Sequence, residues 1–452
     1  MPQVRPFRAI GYALERFGSS RIPDRVRLPE EPPTHRHRVA DLTDLACPPY
    51  DVIAPEQRTE LLARDPHNAV RLELSADPDP HRAAAATLNA WLADGTLSLA
   101  GRPQMFSYTH ARPQAPDDPT AHGILARVLL EPFGGEVRAH EHTMPGPRAD
   151  RLALLRAART QLSPILAVYF DDDERYDRVV RPPSTDEWRA RDGDGLLHVV
   201  AAIDPDEALT SYLSEQRLFI ADGHHRYETA LAYQAEVRAD PLWSDAPRGA
   251  LAADWAMLAL ANATVEDLEI KATHRLVRGV DGDALRALAH DPDPLFQAFP
   301  VDPDAVAARL EELRDAPGPV FGLVMTAGGQ GAIEGWLVVG DADGIDARMR
   351  REQAGPAVQG LDLAVLHALV FAERLRLDPV TEAGERILYT KDPAEAVARV
   401  RSGEAQSAVL VRPTRLDQLA AVATSGDVMP EKSTYFYPKL LTGMAFYPLE
   451  DP

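Results

Sequence analysis

Only four of the 48 basic residues in this 452-residue chain are lysines: Lys271, Lys391, Lys432 and Lys439. Arginine carries positive charge nearly everywhere else, so a lysine here marks a place where a compact ammonium has a chemical use. Cysteine is scarcer still. A single Cys47 excludes an internal disulfide and any cysteine-based zinc cluster, and it reads as a small buried thiol. No apolar run reaches the roughly 18 residues a membrane span needs, and Met1 to Arg8 is not followed by the apolar core of a signal peptide. The expectation is a cytoplasmic protein without a membrane partner. An excess of positive charge is also missing: the formal net charge of −21 weakens any case for stable binding to nucleic acid or anionic lipid, which demand a basic face.

What is present is a globular composition, 45% hydrophobic, in a chain long enough for two or three domains. Residues 7–38, rich in Arg and Pro, read as a surface excursion. Helices are expected over Pro55 to Arg64, His81 to Asp94, Ala149 to Gln161, Tyr227 to Arg238, Trp255 to Ala261, Leu361 to Leu375 and Leu416 to Thr424. Strands are expected at Val70 to Leu74, which alternates strictly, and at Pro164 to Phe170, Arg217 to Ala221 and Ser407 to Arg412. Two hairpins are expected, Gln104 to Thr109 with Gly123 to Leu130, and Pro319 to Met325 with Trp336 to Val339. Antiparallel hairpins mixed with helices predict an α/β fold of the α+β kind with mixed sheets rather than a simple doubly wound one. The expected division is an N-terminal segment over 1–40, an α/β core over 41–280, and a C-terminal α/β region over 281–452 whose Lys-Ser-Thr segment returns to the core.

Three segments carry chemistry. The first is Ala-Asp-Gly-His-His-Arg, Ala221 to Arg226, where a buried strand stops at Asp222 and Gly223 permits a turn into a helix. A helix N-terminus presents free N–H groups and partial positive charge, so an anion there gains from the backbone and Arg226 together. Asp222 can hold a metal, orient an imidazole or act as a base, while His224 and His225 can contact phosphate or move protons near neutral pH. The second is His140-Glu141-His142, followed by a Pro-Gly-Pro turn and a helix bearing Arg148 and Arg151; the His-X-His spacing suits a metal or two phosphate oxygens. The third, Met429 to Gly443, gathers Lys432, Ser433, Thr434 and Lys439, the ammonium and hydroxyl groups that phosphate sites use. Tyr50, Asp51, Asn68, Arg71, His274 and Arg275 are lesser candidates for the same cleft.

Pro6-Phe-Arg-Ala9, Pro48 to Ile53, His140 to Thr143 with Asp150-Arg151, Ala221 to Tyr227, Thr273 to Arg275 and Met429 to Lys439, in this order and spacing, resemble the bacterial and archaeal family called domain of unknown function 1015, from about residue 5 to residue 449. Between Gly18 and His37 the chain carries what looks like an insertion relative to that family, and Met144 stands where a polar residue is expected. The Asp-Gly-His-His-Arg loop also resembles the phosphate-binding loop of the ParB and sulfiredoxin-like superfamily, which includes free-serine kinases. That second resemblance implies a core of that type and a phosphate against Gly223, His224, His225 and Arg226.

The resulting expectation is a phosphotransferase moving phosphate from a nucleotide or pyrophosphate, with Mg²⁺, to a hydroxyl of a small, serine-like metabolite. Positioning and charge neutralisation supply most of such catalysis. Arg226, Lys432 and Arg151 would neutralise phosphate, His224 and His225 would contact it or move protons, and Asp222 or Glu141 would bind metal or act as base. Two other readings follow from the same residues: a nucleotide-binding regulatory protein without turnover, and a metal-dependent hydrolase using His140, His142, His224 and His225.

Overall fold

The computed structural model of the chain describes residues 1–19, 38–112, 119–141, 145–172, 186–204, 207–264, 268–291, 293–327, 331–351, 355–379, 381–382 and 384–449. It forms two compact units, the first comprising 1–138, 144–268 and 438–452, the second 139–143 and 269–437. The His140-Glu141 segment thus groups with the later part of the chain, and the last fifteen residues with the earlier part.

The first unit is built on an eleven-stranded mixed sheet. Within it the strand Trp255–Asn262 lies antiparallel to Pro119–Leu129 on one side and parallel to Ile165–Tyr169 on the other. Ile165–Tyr169 in turn pairs antiparallel with Leu218–Asp222, which delivers Asp222 to the end of the sheet. All eight residues of Trp255–Asn262 are buried. A strand covered on both faces shows no alternation, so its Ala, Met and Leu content reads as helix in sequence, and the helix expected over Trp255 to Ala261 is corrected to a strand.

Two other expectations change. Val70 to Leu74 alternates like a strand but forms a short helix, Val70–Glu73, because Asn68 Oδ1 accepts from the Val70 N–H (2.9 Å) while its Nδ2 donates to the carbonyls of Asp44 and Ala46. Within 7–38, Phe7, Ile10, Tyr12 and Leu14 are buried, and Ile10–Tyr12 pairs with Leu97–Leu99, so this part belongs to the core; residues 20–37 lie outside the described set. The apolar side chains outweigh the Arg and Pro composition of the segment that follows. The hairpin Met105–Ala111 with Pro119–Leu129 forms as expected.

The second unit holds a six-stranded antiparallel sheet in the order Phe296–Val301, Ile333–Gly340, Val320–Thr326, Ser407–Val411, His274–Val277, Ile387–Thr390. The helices Val306–Glu312 and Pro393–Arg401 bury Val306, Leu310, Ala396, Val397 and Val400 in its core. A separate ribbon pairs Glu269–Lys271 with Tyr435–Tyr437. The chain is therefore mixed α/β, with several sheets. No described helix is long and apolar enough to cross a membrane.

Candidate functional site

Strand Leu218–Asp222 ends one residue before the 16-residue helix His224–Ala239, and the whole reversal is made at Gly223. Gly223 has φ +92°, a conformation L side chains rarely adopt, and a Cβ there would stand 2.9 Å from Arg226 Nε. Glycine therefore serves twice, turning the chain and leaving room for the guanidinium to fold back over the loop.

Arg226 donates to Asp222 Oδ2 (2.5 Å) and to the Pro164 carbonyl, and Lys439 donates to Asp222 Oδ1. Two cations thus share one carboxylate. Burial alone would raise the pKa of Asp222, but the Lys439 ammonium and Arg226 guanidinium override it and hold the group well below the usual carboxylate range. A carboxylate held so firmly ionised is a poor proton acceptor. With both oxygens already facing cations it is also a poor ligand for Mg²⁺, so the expected metal does not fit Asp222 in this arrangement. Asp222 holds the two cations together, and the cluster of three keeps one net positive charge at a helix N-terminus.

Around it the first unit builds a second layer. Arg151, 8% exposed, donates to Glu73 Oε2 (3.0 Å) and to Asp150 Oδ2, and lies 4.2 Å over the Tyr50 ring. Glu73 Oε1 accepts from the Thr442 hydroxyl (3.1 Å), and Thr442 forms a backbone bridge with Cys47. The thiol of Cys47 is buried, and burial pushes its pKa up, which fits a structural rather than nucleophilic cysteine.

One residue earlier, the Leu441 N–H donates to the Tyr108 hydroxyl (2.9 Å), which also meets His198 Nδ1 (3.1 Å); His198 Nε2 is 3.1 Å from Asp192 Oδ2. Burial lowers the pKa of His198, so the network is consistent with a neutral ring donating from Nε2 to Asp192. The segment that carries Lys439 is therefore pinned from two sides, by Glu73 and by Tyr108. Tyr108→Phe is expected to cost about 1–3 kcal/mol in urea unfolding, because it strands the buried Leu441 N–H and His198 Nδ1; a loss below about 0.5 kcal/mol contradicts the clasp.

The remaining expected residues divide between the units. In the first, Asp51 is exposed and adds to the field at Arg226, while Arg148 is exposed and pairs with Glu228 on the neighbouring helix. Asn68 spends its amide on the local turn described above, and Arg71 donates to the Leu62 carbonyl, so both are structural. His224 is buried and His225 half-buried at the start of the helix.

In the second unit, Glu141 Oε1 accepts from the Lys432 N–H (2.8 Å), His140 Nε2 meets Thr434 Oγ1 (2.9 Å), and Arg275 donates to the carbonyls of Thr273, Glu431 and Lys432. Ser433 donates to the Pro430 carbonyl (2.5 Å), and His274 Nδ1 accepts from the Val411 N–H, its pKa lowered by burial to about 4. These contacts hold the 429–434 loop with Lys432 at φ +59°. His142 lies outside the described residues. Among the described residues no group of three or more His, Cys, Asp or Glu could hold a metal ion, so the hydrolase reading finds no metal cluster among them.

Glu141 itself is pushed up to about 7 by burial, against the Lys432 N–H and ammonium. Its folded pKa lies above the unfolded value of about 4.3, so the folded state binds the extra proton and loses stability as pH rises through that window. Glu141→Gln keeps the acceptor for Lys432. The melting temperature of Glu141→Gln relative to the wild type is expected to rise between about pH 4.5 and about pH 7; a pH-independent difference contradicts the assignment.

Residues 32–335 match a family model described as protein of unknown function (DUF1015). Among solved structures, a free serine kinase in complex with AMP matches at 11% identity over 67% of this chain and 83% of its own, with a TM-score of 0.35. SbnI with C-terminal truncation from Staphylococcus aureus matches at 12% identity over 72% and 87%, TM-score 0.35. A conserved hypothetical protein from Pyrococcus furiosus matches at 10% identity over 68% and 89%, TM-score 0.34. Similarity at this level assigns no activity to the chain. No curated protein matches it.

Proposed function

The chain belongs to the DUF1015 family of proteins of unknown function, and from the chemistry of its Asp222 cluster we propose that it is a small-molecule phosphotransferase. The observation that carries this reading is the pair Arg226 and Lys439 gathered on one carboxylate at the N-terminus of His224–Ala239. A guanidinium and an ammonium held 'preset' in this way neutralise charge on a transferring phosphoryl group without reorganising, which is where such enzymes gain most of their rate.

The donor is a nucleotide or pyrophosphate and the acceptor a hydroxyl of a small metabolite, serine among the compounds to be tried. The acceptor oxygen bonds to the terminal phosphorus as the bond from that phosphorus to the bridging oxygen breaks, and the bridging oxygen keeps the electron pair. The hydroxyl proton passes to an imidazole, His224 or His225, since Asp222 is too firmly ionised to take it. If a divalent cation takes part, it arrives with the donor phosphates, and no residue of this cluster is assigned to it.

Phosphorus NMR on a matrix of donors (ATP, ADP, pyrophosphate) and small hydroxylated acceptors tests this reading. Appearance of a phosphomonoester supports it. Donor binding with no product from any acceptor overturns the transferase reading in favour of a nucleotide-binding regulatory protein.

A further inference from the structure

Beside the cluster, within the first unit, lies a cavity of about 50 Å³. Its walls mix the apolar Leu154, Leu155 and Ile165 with the paired Glu73 and Arg151, and Arg226 also lines it. The walls are fixed by the fold: Leu154 and Leu155 sit on the helix Pro145–Ala158, and Ile165 begins the strand Ile165–Tyr169 that runs against Leu218–Asp222.

One polar lining group stands apart because it is unsatisfied. Thr229, 3% exposed, lies on His224–Ala239 three residues after Arg226, so the two side chains share a helix face. Its hydroxyl is buried and has no hydrogen-bond partner among the described residues. A valine would fill the same volume without leaving a polar atom unsatisfied, a cost of about 1–3 kcal/mol. A hydroxyl kept there against that cost has a use when something enters the cavity. The space is small, enough for a group of on the order of two or three non-hydrogen atoms such as the end of a short chain.

Building on the proposed phosphotransferase reading, we infer that this cavity is the acceptor subsite and that it selects an uncharged, hydroxyl-bearing aliphatic group. The aliphatic body rests on the leucine and isoleucine walls, and a polar atom meets Thr229 Oγ1. A second hydroxyl lies toward Arg226, where the phosphoryl group is held. Ammonium or carboxylate groups of the acceptor stay outside the cavity, because the charges on its wall are already paired, Glu73 with Arg151 and Arg226 with Asp222, and a further buried charge without a partner would be strongly penalised. The acceptor class is therefore a short diol or polyol end, rather than a compact zwitterion entering whole.

The test uses 1,3-propanediol as probe, with saturation-transfer NMR on the full-length protein, and inorganic pyrophosphate binding measured in the same samples. The wild type is expected to bind the diol. Thr229→Val, near-isosteric with the wild type, is expected to weaken it roughly fivefold to tenfold, the loss of one hydrogen bond. Ala230→Leu, which fills the cavity from the same helix, is expected to abolish it, and both variants are expected to keep pyrophosphate binding. Melting curves establish that each variant is folded, and Thr229→Val carries the test if Ala230→Leu is not. No diol binding by the wild type, or equal binding by wild type and Thr229→Val, overturns the inference. If pyrophosphate binding persists in that case, the subsite alone fails; if the wild type binds no pyrophosphate either, the phosphotransferase reading fails with it.

Discussion

Arg226→Ala is expected to lower phosphoryl transfer by about 10²–10³-fold while leaving the protein folded, the effect of removing one preset donor from a developing charge. The expectation follows from how the guanidinium is held. One arm is fixed to the Pro164 carbonyl and one to Asp222, so it meets a phosphate without first losing side-chain freedom. Without it Asp222 keeps only Lys439, the cluster's net charge falls from plus one to zero, and the anion site is lost. Arg226→Lys should recover only part of the activity, because an ammonium cannot span Pro164 and Asp222 together while facing a ligand. Steady-state rates, with circular dichroism showing that the variant is folded at the assay temperature, check the claim; a loss smaller than about tenfold would place Arg226 outside the chemistry.

The largest effect on stability is expected at Arg151. Its partner Glu73 has a side chain only 2% exposed, and Arg151→Ala leaves that carboxylate with the Thr442 hydroxyl alone. Removing one member of a buried pair typically costs about 3–5 kcal/mol, much of it the penalty of the charge left behind. Urea unfolding should register a loss of that size. The double variant Arg151→Met, Glu73→Leu should recover much of it, since no charge is then stranded. A loss below about 1 kcal/mol in the single variant would mean that water reaches Glu73 and that the second layer is softer than its geometry indicates.

These two residues also mark what could be read from sequence. The Asp222-Gly-His-His-Arg226 junction was legible because its determinants are local: a strand of apolar residues, a glycine where φ must be positive, and a helix opening on polar side chains. The scarcity of lysine singled out Lys439, and only the fold pairs it with Asp222, 217 residues away. Arg151 was expected to neutralise phosphate, but Glu73 and Asp150 already occupy it. Glu73 escaped notice because the alternating Val70 to Leu74 pattern suggested a strand, and a strand would have turned it differently.

Tyr108, Asp192 and His198 escaped for another reason. They form one hydrogen-bonded chain across adjacent strands, and no short motif links residues that meet only through sheet register. Thr229 was visible in sequence but unremarkable, since a threonine inside a helix matters only once its hydroxyl is found buried against a cavity. The strand Trp255–Asn262 was missed on purely physical grounds: burial on both faces erases the period that distinguishes strand from helix. Grouping of Glu141 with Lys432 comes from a backbone bridge to Met429, the Lys432 N–H on Glu141 and the neighbouring His140–Thr434 contact, long-range contacts that composition does not encode.

Isothermal titration of inorganic pyrophosphate into the wild type, Arg226→Ala and Lys439→Met tests the central claim most directly, because it asks for phosphate recognition at this cluster before any turnover. The account predicts binding by the wild type and a loss of at least about tenfold in each variant, the equivalent of one charge-assisted hydrogen bond. Equal affinity in all three proteins, or no binding by the folded wild type, would contradict it.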